Sequence, residues 1–338
     1  VKFGVVPLAE AEGCLLAHSV KLADSVLKKG YRLRPEDLHA LAAAGIDPVV
    51  VARLDADDVH EDAAARQLGA ALAGAGVDCG TATTGRMNLF ARHSGLAYVD
   101  VARIHAVNAV HESLTVATVN PWEPVGEGQM LATVKVIPYA APRSSLDRSL
   151  AIADGPAGAI DVLPWRGIGV GLVLTRLPDT RAAVLAKMES AVEKRLLPLA
   201  GRLVEKRIVA HESDAVAEAI RQFANQAGVD LILVSGIAAT VDRRDVVPAG
   251  LERAGGTVLH AGMPVDPGNL LLLGSIPQAG SACPVIGIPT CARSPKLNGF
   301  DFVLRRLAAG VEVRAGDIMS LGVGGLLKDI PDRPMPRA

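Results

Sequence analysis

Short apolar runs that end in turn residues set the pattern of the second half of this chain. Asp230 leads into Leu-Ile-Leu-Val and then Ser235-Gly236, and Pro284 leads into Val-Ile-Gly-Ile and then Pro289-Thr290. Such runs read as buried strands of an open, largely parallel sheet, which presents a crevice at the carboxyl ends of its strands. Gly169–Thr175, Leu203–Ala210, Leu231–Val234, Thr257–His260, Leu270–Leu273 and Val285–Ile288 all fit this pattern. Between them the period becomes helical. Val184, Leu185, Met188 and Val192 share one face, with Thr180 as the expected N-cap. Val216, Ala219, Ile220, Phe223 and Ala227 share another, capped by Ser213 or Asp214 and ended by Gly228. Asp245 is placed to cap a helix that Gly255 ends, and a last helix is expected over about Leu297–Ala309. This alternation predicts a three-layer α/β domain.

The first half is less regular. Pro35 suits the first turn of a helix with Leu38, Leu41 and Ala42 on its apolar face; Gly45 ends it and Val49–Val51 reads as a strand. Residues 58–78 are expected to be helical. Residues 79–140 read as a small α+β unit, with a turn over Thr81–Asn88 and strands at Leu96–Val101, Leu114–Val119 and Met130–Ile137. Gly126 to Gly128 is a hairpin-like turn, and Pro138 to Arg143 is a boundary. The expected division is therefore 1–60, 61–140, 141–328 and a proline-rich, linker-like tail at 329–338.

Composition narrows the picture. The 338 residues are 50% hydrophobic and 21% charged, but only 3% aromatic, so Val, Leu, Ile and Ala must fill the core. A formal net charge of −1 gives no argument for a nucleic-acid surface. No apolar run approaches the roughly 20 residues of a membrane span, and no signal-like segment opens the chain. Cys14, Cys79, Cys283 and Cys291 are scattered, with no CxxC pair. They suit reduced thiols better than disulfides or zinc, so a cytoplasmic protein is expected.

Four stretches carry candidate chemistry. Ser235-Gly236 ends a strand where backbone amides can approach a phosphate. In Asp242-Arg243-Arg244-Asp245, the guanidiniums suit bidentate phosphate binding, Asp242 is free to face a cation or polar ligand, and Asp245 suits a cap. Two prolines and a glycine hold Asp266 in the rigid loop Met263–Asn269, which includes Pro267 and Gly268, while His260 reads as a core histidine at a strand end. Finally, Pro289-Thr290-Cys291-Ala292-Arg293-Ser294 would place the Thr290 and Ser294 hydroxyls, with Arg293, at a helix start, an anion site by geometry. No His or Asp is patterned around Cys291 to make it a nucleophile. In the middle unit, Arg86 and Asn88 sit in a turn that either is structural or faces a ligand.

In their order, these stretches resemble the MoeA/MogA-like molybdopterin-binding group of molybdenum cofactor biosynthesis. The points of contact are the strand-Gly, the Asp-rich segment, His260-Ala-Gly-Met-Pro264 with Pro267-Gly268, and Gly287-Ile-Pro289. Ala9–Ala17, Leu33–Leu38 and Ala44–Ile46 are similar to MoeA entry segments. Ala132–Pro138 and Ala292–Asp301 are similar to a subgroup often fused to a molybdopterin nucleotidyltransferase. The resemblance implies a MogA-like three-layer domain with a mostly parallel sheet, an N-terminal α+β MoeA-like region, and a homo-oligomer. It also implies a site for molybdopterin or its adenylylated form, with Asp242 or Asp266 and Mg²⁺ assisting adenylate release during molybdate insertion. The chain departs from the pattern at Ile237, where the family has a second glycine, and at Pro289–Ala292, where it has a Pro-Gly-Asn-Pro turn. These departures support a second reading, a non-catalytic carrier that serves a nucleotidyltransferase. A third reading is a CinA-like pyridine-nucleotide hydrolase.

Overall fold

The computed structural model describes residues 1–278 and 280–327, so the proline-rich tail lies outside the described residues. Helices and strands are mixed along the chain, as expected of an α/β protein, and fall into two compact units, Val1–Pro164 and Trp165–Ala338. No helix among the described residues is long and apolar enough to cross a membrane.

The first unit opens with a small core of its own. Val49–Arg53 pairs antiparallel with Lys2–Val6 on one side and Leu15–Leu16 on the other. Helix Pro35–Ala43 contributes Leu41 to a cluster with Cys14, Leu16, Leu33, Val49 and Val51. Pro35 occupies the first turn as expected, and the Asp37 carboxylate accepts the Arg34 amide at 2.9 Å. Gly45 takes a φ of +70°, which lets the Ile46 amide reach back to the Leu41 carbonyl at 3.0 Å and end the helix.

The larger core of this unit lies between helix Glu61–Leu72 and a four-stranded antiparallel sheet in the order 114–118, 130–136, 86–91, 77–79. A second sheet joins Pro124–Val125, Gly95–Val99 and Ile160–Pro164. Two expectations change here. The turn expected over Thr81–Asn88 shrinks to Thr84 and Gly85, both at positive φ, and a strand begins at Arg86. A two-residue turn with two left-handed residues matches the twist of a hairpin, so the flanking residues pair at once. The strand expected over Leu96–Val101 stops at Val99, because Asp100 accepts the Arg103 amide at 3.0 Å and starts helix Val101–Asn108. The expected boundary near 140 also moves. Helix Arg143–Ala153 and strand Ile160–Pro164 both pack within the first unit, the latter paired with Gly95–Val99.

The second unit contains strands β1 (Gly169–Arg176), β2 (Arg202–Ala210), β3 (Leu231–Ser235), β4 (Thr257–Ala261), β5 (Leu272–Gln278) and β6 (Ser281–Gly287). Its helices are α1 (Ala182–Leu196), α2 (Ser213–Ala224), α3 (Val246–Arg253), α4 (Gly299–Ala308) and α5 (Ala315–Met319). The described strands form one sheet in the order β2-β1-β3-β6-β5-β4. The β2-β1, β1-β3 and β3-β6 pairings are parallel, whereas β5 is antiparallel to both neighbours. The sheet is therefore mostly parallel, with β5 the reversed strand.

Its two faces bury separate cores. One joins Leu172, Leu174, Leu231 and Leu233 to Met188 and Val192 of α1 and to Phe300 and Leu304 of α4. The other joins Val173, Ile232 and Val234 to Val216, Ile220 and Phe223 of α2 and to Val247 and Leu251 of α3. This is the three-layer arrangement that alternation predicts. Two expected caps differ. Thr180 accepts the Leu177 amide at 2.8 Å and closes a turn, and α1 begins after Arg181. Ser213 is the first residue of α2 rather than its cap, and Glu212 holds the cap position without a side-chain bond. His260 is half-buried on the edge strand β4, not in the core.

Candidate functional site

The carboxyl ends of β1, β2, β3 and β6 share one rim of the second unit, and the predicted residues divide among three places along it. Ser235 is buried at the end of β3, followed by Gly236. Loop 236–245 is held by three side chains. The buried Thr175 hydroxyl accepts the Ile237 amide at 2.8 Å. Arg293 donates through Nη2 to the carbonyls of Ile237 at 3.1 Å and Gly236 at 3.4 Å. Asp245 caps α3 as expected, accepting the Val246 amide at 2.8 Å, and its other oxygen accepts the Val241 amide at 3.2 Å. Ile237 is thus pinned at both its N–H and its C=O. The space beneath it, lined by Thr175, Ser235, Gly236 and Arg293, is only about 10 Å³.

What this loop leaves open is its amides. Among the described residues, the backbone N–H groups of Gly236, Ala238, Ala239 and Thr240 make no hydrogen bond to the protein. Gly236 is itself buried, and a buried amide without a protein partner is uncommon. Ala238, Ala239 and Thr240 are consecutive, and loop amides without a protein acceptor are available to an anion.

The second place is a hollow of about 300 Å³ lined by Thr240, Asp242, Arg243, Pro248, Ala261 and Leu270–Leu272. Arg243 is exposed at its edge. Asp242 is turned to Arg244, accepting its amide at 2.8 Å and its Nε at 3.1 Å. The Arg244 amide, and then its guanidinium, hold the Asp242 carboxyl below its ordinary pKa. Arg244 is 93% exposed, so the pair is a surface ion pair of small energetic weight.

At the third place the structure corrects an expectation. Thr290–Arg293 is a short 3-10 turn, and α4 starts later, at Gly299. The first amides of α4 are already taken: Gly299 N–H by the Pro267 carbonyl at 2.8 Å, Phe300 N–H by Asn298 Oδ1 at 3.1 Å, and Asp301 N–H by the Asn298 carbonyl at 2.9 Å. Thr290 and Ser294 therefore do not border an open helix start. Ser294 Oγ accepts the Lys296 amide at 3.3 Å, and Cys291 Sγ accepts from Asn298 Nδ2 at 3.1 Å. The Pro267-Gly268 turn has a packing role here. Gly268 has a φ of +143°, and a Cβ on it would stand 2.8 Å from the Gly299 nitrogen, so only glycine lets this loop lie against α4.

Asp266 belongs to the same loop, which is anchored by its amide to the Gly325 carbonyl at 2.8 Å and by its carbonyl to the Leu327 amide at 2.9 Å. Asp242 and Asp266 join no group of three or more His, Cys, Asp or Glu side chains placed to hold a metal ion among the described residues.

One residue escaped the sequence reading. His211, just past β2, has its Nδ1 2.9 Å from Thr175 Oγ1, and its Cε1 lies 3.8 Å from where a Cβ on Gly236 would stand. In the first unit, Asn88 Oδ1 and Thr133 Oγ1 are cross-strand neighbours, both buried and without a hydrogen-bond partner.

Comparison with known proteins adds one match. Residues 5–53 fit a family described as a domain of unknown function (DUF8806), which covers the small N-terminal core. No curated protein matches the chain.

Proposed function

We propose that the second unit binds a phosphorylated pterin, molybdopterin or its adenylylated form, as part of molybdenum cofactor biosynthesis. The observation that carries this reading is the run of unpaired amides at Gly236 and Ala238–Thr240, beside Arg293 at the end of a central parallel strand. Backbone N–H groups and a guanidinium at that position suit a phosphate. The ordered resemblance along the chain supplies the pterin, and a three-layer unit is the class that a MogA-like domain requires. The neighbouring hollow, with Arg243 at its edge, is of a size to take the remainder of a small ligand.

Within this reading, binding without turnover is favoured over molybdate insertion. Asp242 already accepts from Arg244, and Ile237 fills the place where a second glycine would admit a phosphate more closely. The test is incubation with adenylylated molybdopterin, molybdate and Mg²⁺. Saturable binding without adenylate release is the expected result. Molybdate-dependent adenylate release would establish the transferase instead, and no binding of any pterin species would remove both.

A further inference from the structure

We infer that His211 is a ligand-contacting residue of this site, donating from Nε2 to the bound phosphate oxygen, and that Thr175 is the residue that positions it. The inference rests on the phosphate-binding reading given above.

Thr175, the penultimate residue of β1, has no exposed surface. Two groups approach its hydroxyl: the Ile237 amide at 2.8 Å and His211 Nδ1 at 2.9 Å. An amide only donates, so Thr175 Oγ1 accepts from Ile237. Among the described residues the hydroxyl proton then has one acceptor within reach, His211 Nδ1. If Nδ1 carried the proton instead, the buried Thr175 hydroxyl would be left without an acceptor, at a cost of about 1–3 kcal/mol. The neutral imidazole is therefore held with its proton on Nε2.

The imidazole stands beside the loop whose amides are open: Cε1 lies 3.8 Å from the Cβ position of Gly236. No protein group accepts from Nε2 among the described residues. The carboxylates of the loop are engaged elsewhere: Asp242 faces Arg244 and Asp245 faces the amides of Val241 and Val246. Amides, a guanidinium and an imidazole thus border this loop, donors suited to a phosphate group.

The test is imidazole ¹⁵N NMR on the full chain at pH 8, where an ordinary histidine is neutral, with inorganic phosphate as the probe. The unmodified protein should show His211 as the Nε2–H tautomer. Thr175→Val should mix the tautomers, and Thr175→Ser should restore the single form; a tautomer indifferent to both changes would overturn the role of Thr175. Phosphate should move the His211 Nε2 signal and the Gly236–Thr240 amide signals along one saturation curve, and His211→Ala should weaken phosphate binding about tenfold. If phosphate moves the amides but leaves Nε2 unmoved, the inference fails and the anion site stands. If phosphate moves neither, both fail. The titration of the unmodified chain decides the matter even where a variant does not fold.

Discussion

Arg195 and Asp301 share a nearly dry ion pair, Nε to Oδ1 at 2.7 Å, with side chains only 9% and 10% exposed. The pair ties α1 to α4. Arg195 also donates to the carbonyls of Ser294 at 2.8 Å and Lys296 at 3.2 Å, while the other Asp301 oxygen accepts the Asn298 amide at 2.8 Å. Removing one member strands a buried charge, so Asp301→Ala should cost about 3–5 kcal/mol, read from the urea midpoint. Replacing both residues with apolar ones, as in Arg195→Met with Asp301→Leu, should recover much of that loss.

Arg293→Ala should release the Gly236 and Ile237 carbonyls and loosen loop 236–245. Hydrogen exchange of the Ile237 amide should then rise about tenfold, in line with losing hydrogen bonds worth about 1 kcal/mol each, while the strand amides of β1 and β3 stay protected. Unchanged exchange at Ile237 would show that Thr175 and Asp245 hold the loop without Arg293.

Burial, with Asp230 nearby as the lesser cause, pushes the Cys283 thiol up from 9.0 to about 12. At pH 8 a thiol reagent should modify the exposed Cys291 readily, Cys79 more slowly because burial raises its thiol pKa too, and Cys283 only on unfolding. The folded state binds the Cys283 proton more tightly than the unfolded chain does. Its contribution to stability is therefore complete below about pH 9 and is lost as pH rises towards 12. Cys283→Ala should flatten that part of the stability profile, which can be followed by denaturant titration at a series of pH values.

Gly171 lies in β1 directly under Phe223, and a Cβ there would stand 2.7 Å from the ring. Gly171→Ala should therefore cost about 1–3 kcal/mol through overpacking. Combining it with Phe223→Leu should cost less than the sum of the two single changes, a coupling that denaturation of the four proteins would measure.

Much of this fold was legible in local chemistry. Pro35, Gly45, Asp245 and Gly255 each mark a helix end by a mechanism that needs no partner from elsewhere in the chain, and the apolar runs of the parallel strands are bounded by their own turn residues. The strand at Arg86 was hidden because its hairpin turn takes only two residues, and the helix at Val101 because it follows a strand without a loop. The candidate site was legible in part. Ser235-Gly236, Asp245 and Arg293 proved to meet around one loop, whereas Thr290 and Ser294 were placed at a helix start that begins farther along. His211 could not be found from sequence, because its meaning depends on a hydroxyl 36 residues away.

The reversed strand β5 has a consequence for how the rim can change. In a uniformly parallel sheet, β4 and β5 would be separated by a crossover of a dozen or more residues that returns along one face. Here the chain turns back over residues 262–271 and lays that whole segment on the same rim as loop 236–245 and the end of β6. Ligand preference can therefore be altered at the exposed Leu270 of this return, which lines the hollow and lies outside both helix-covered cores.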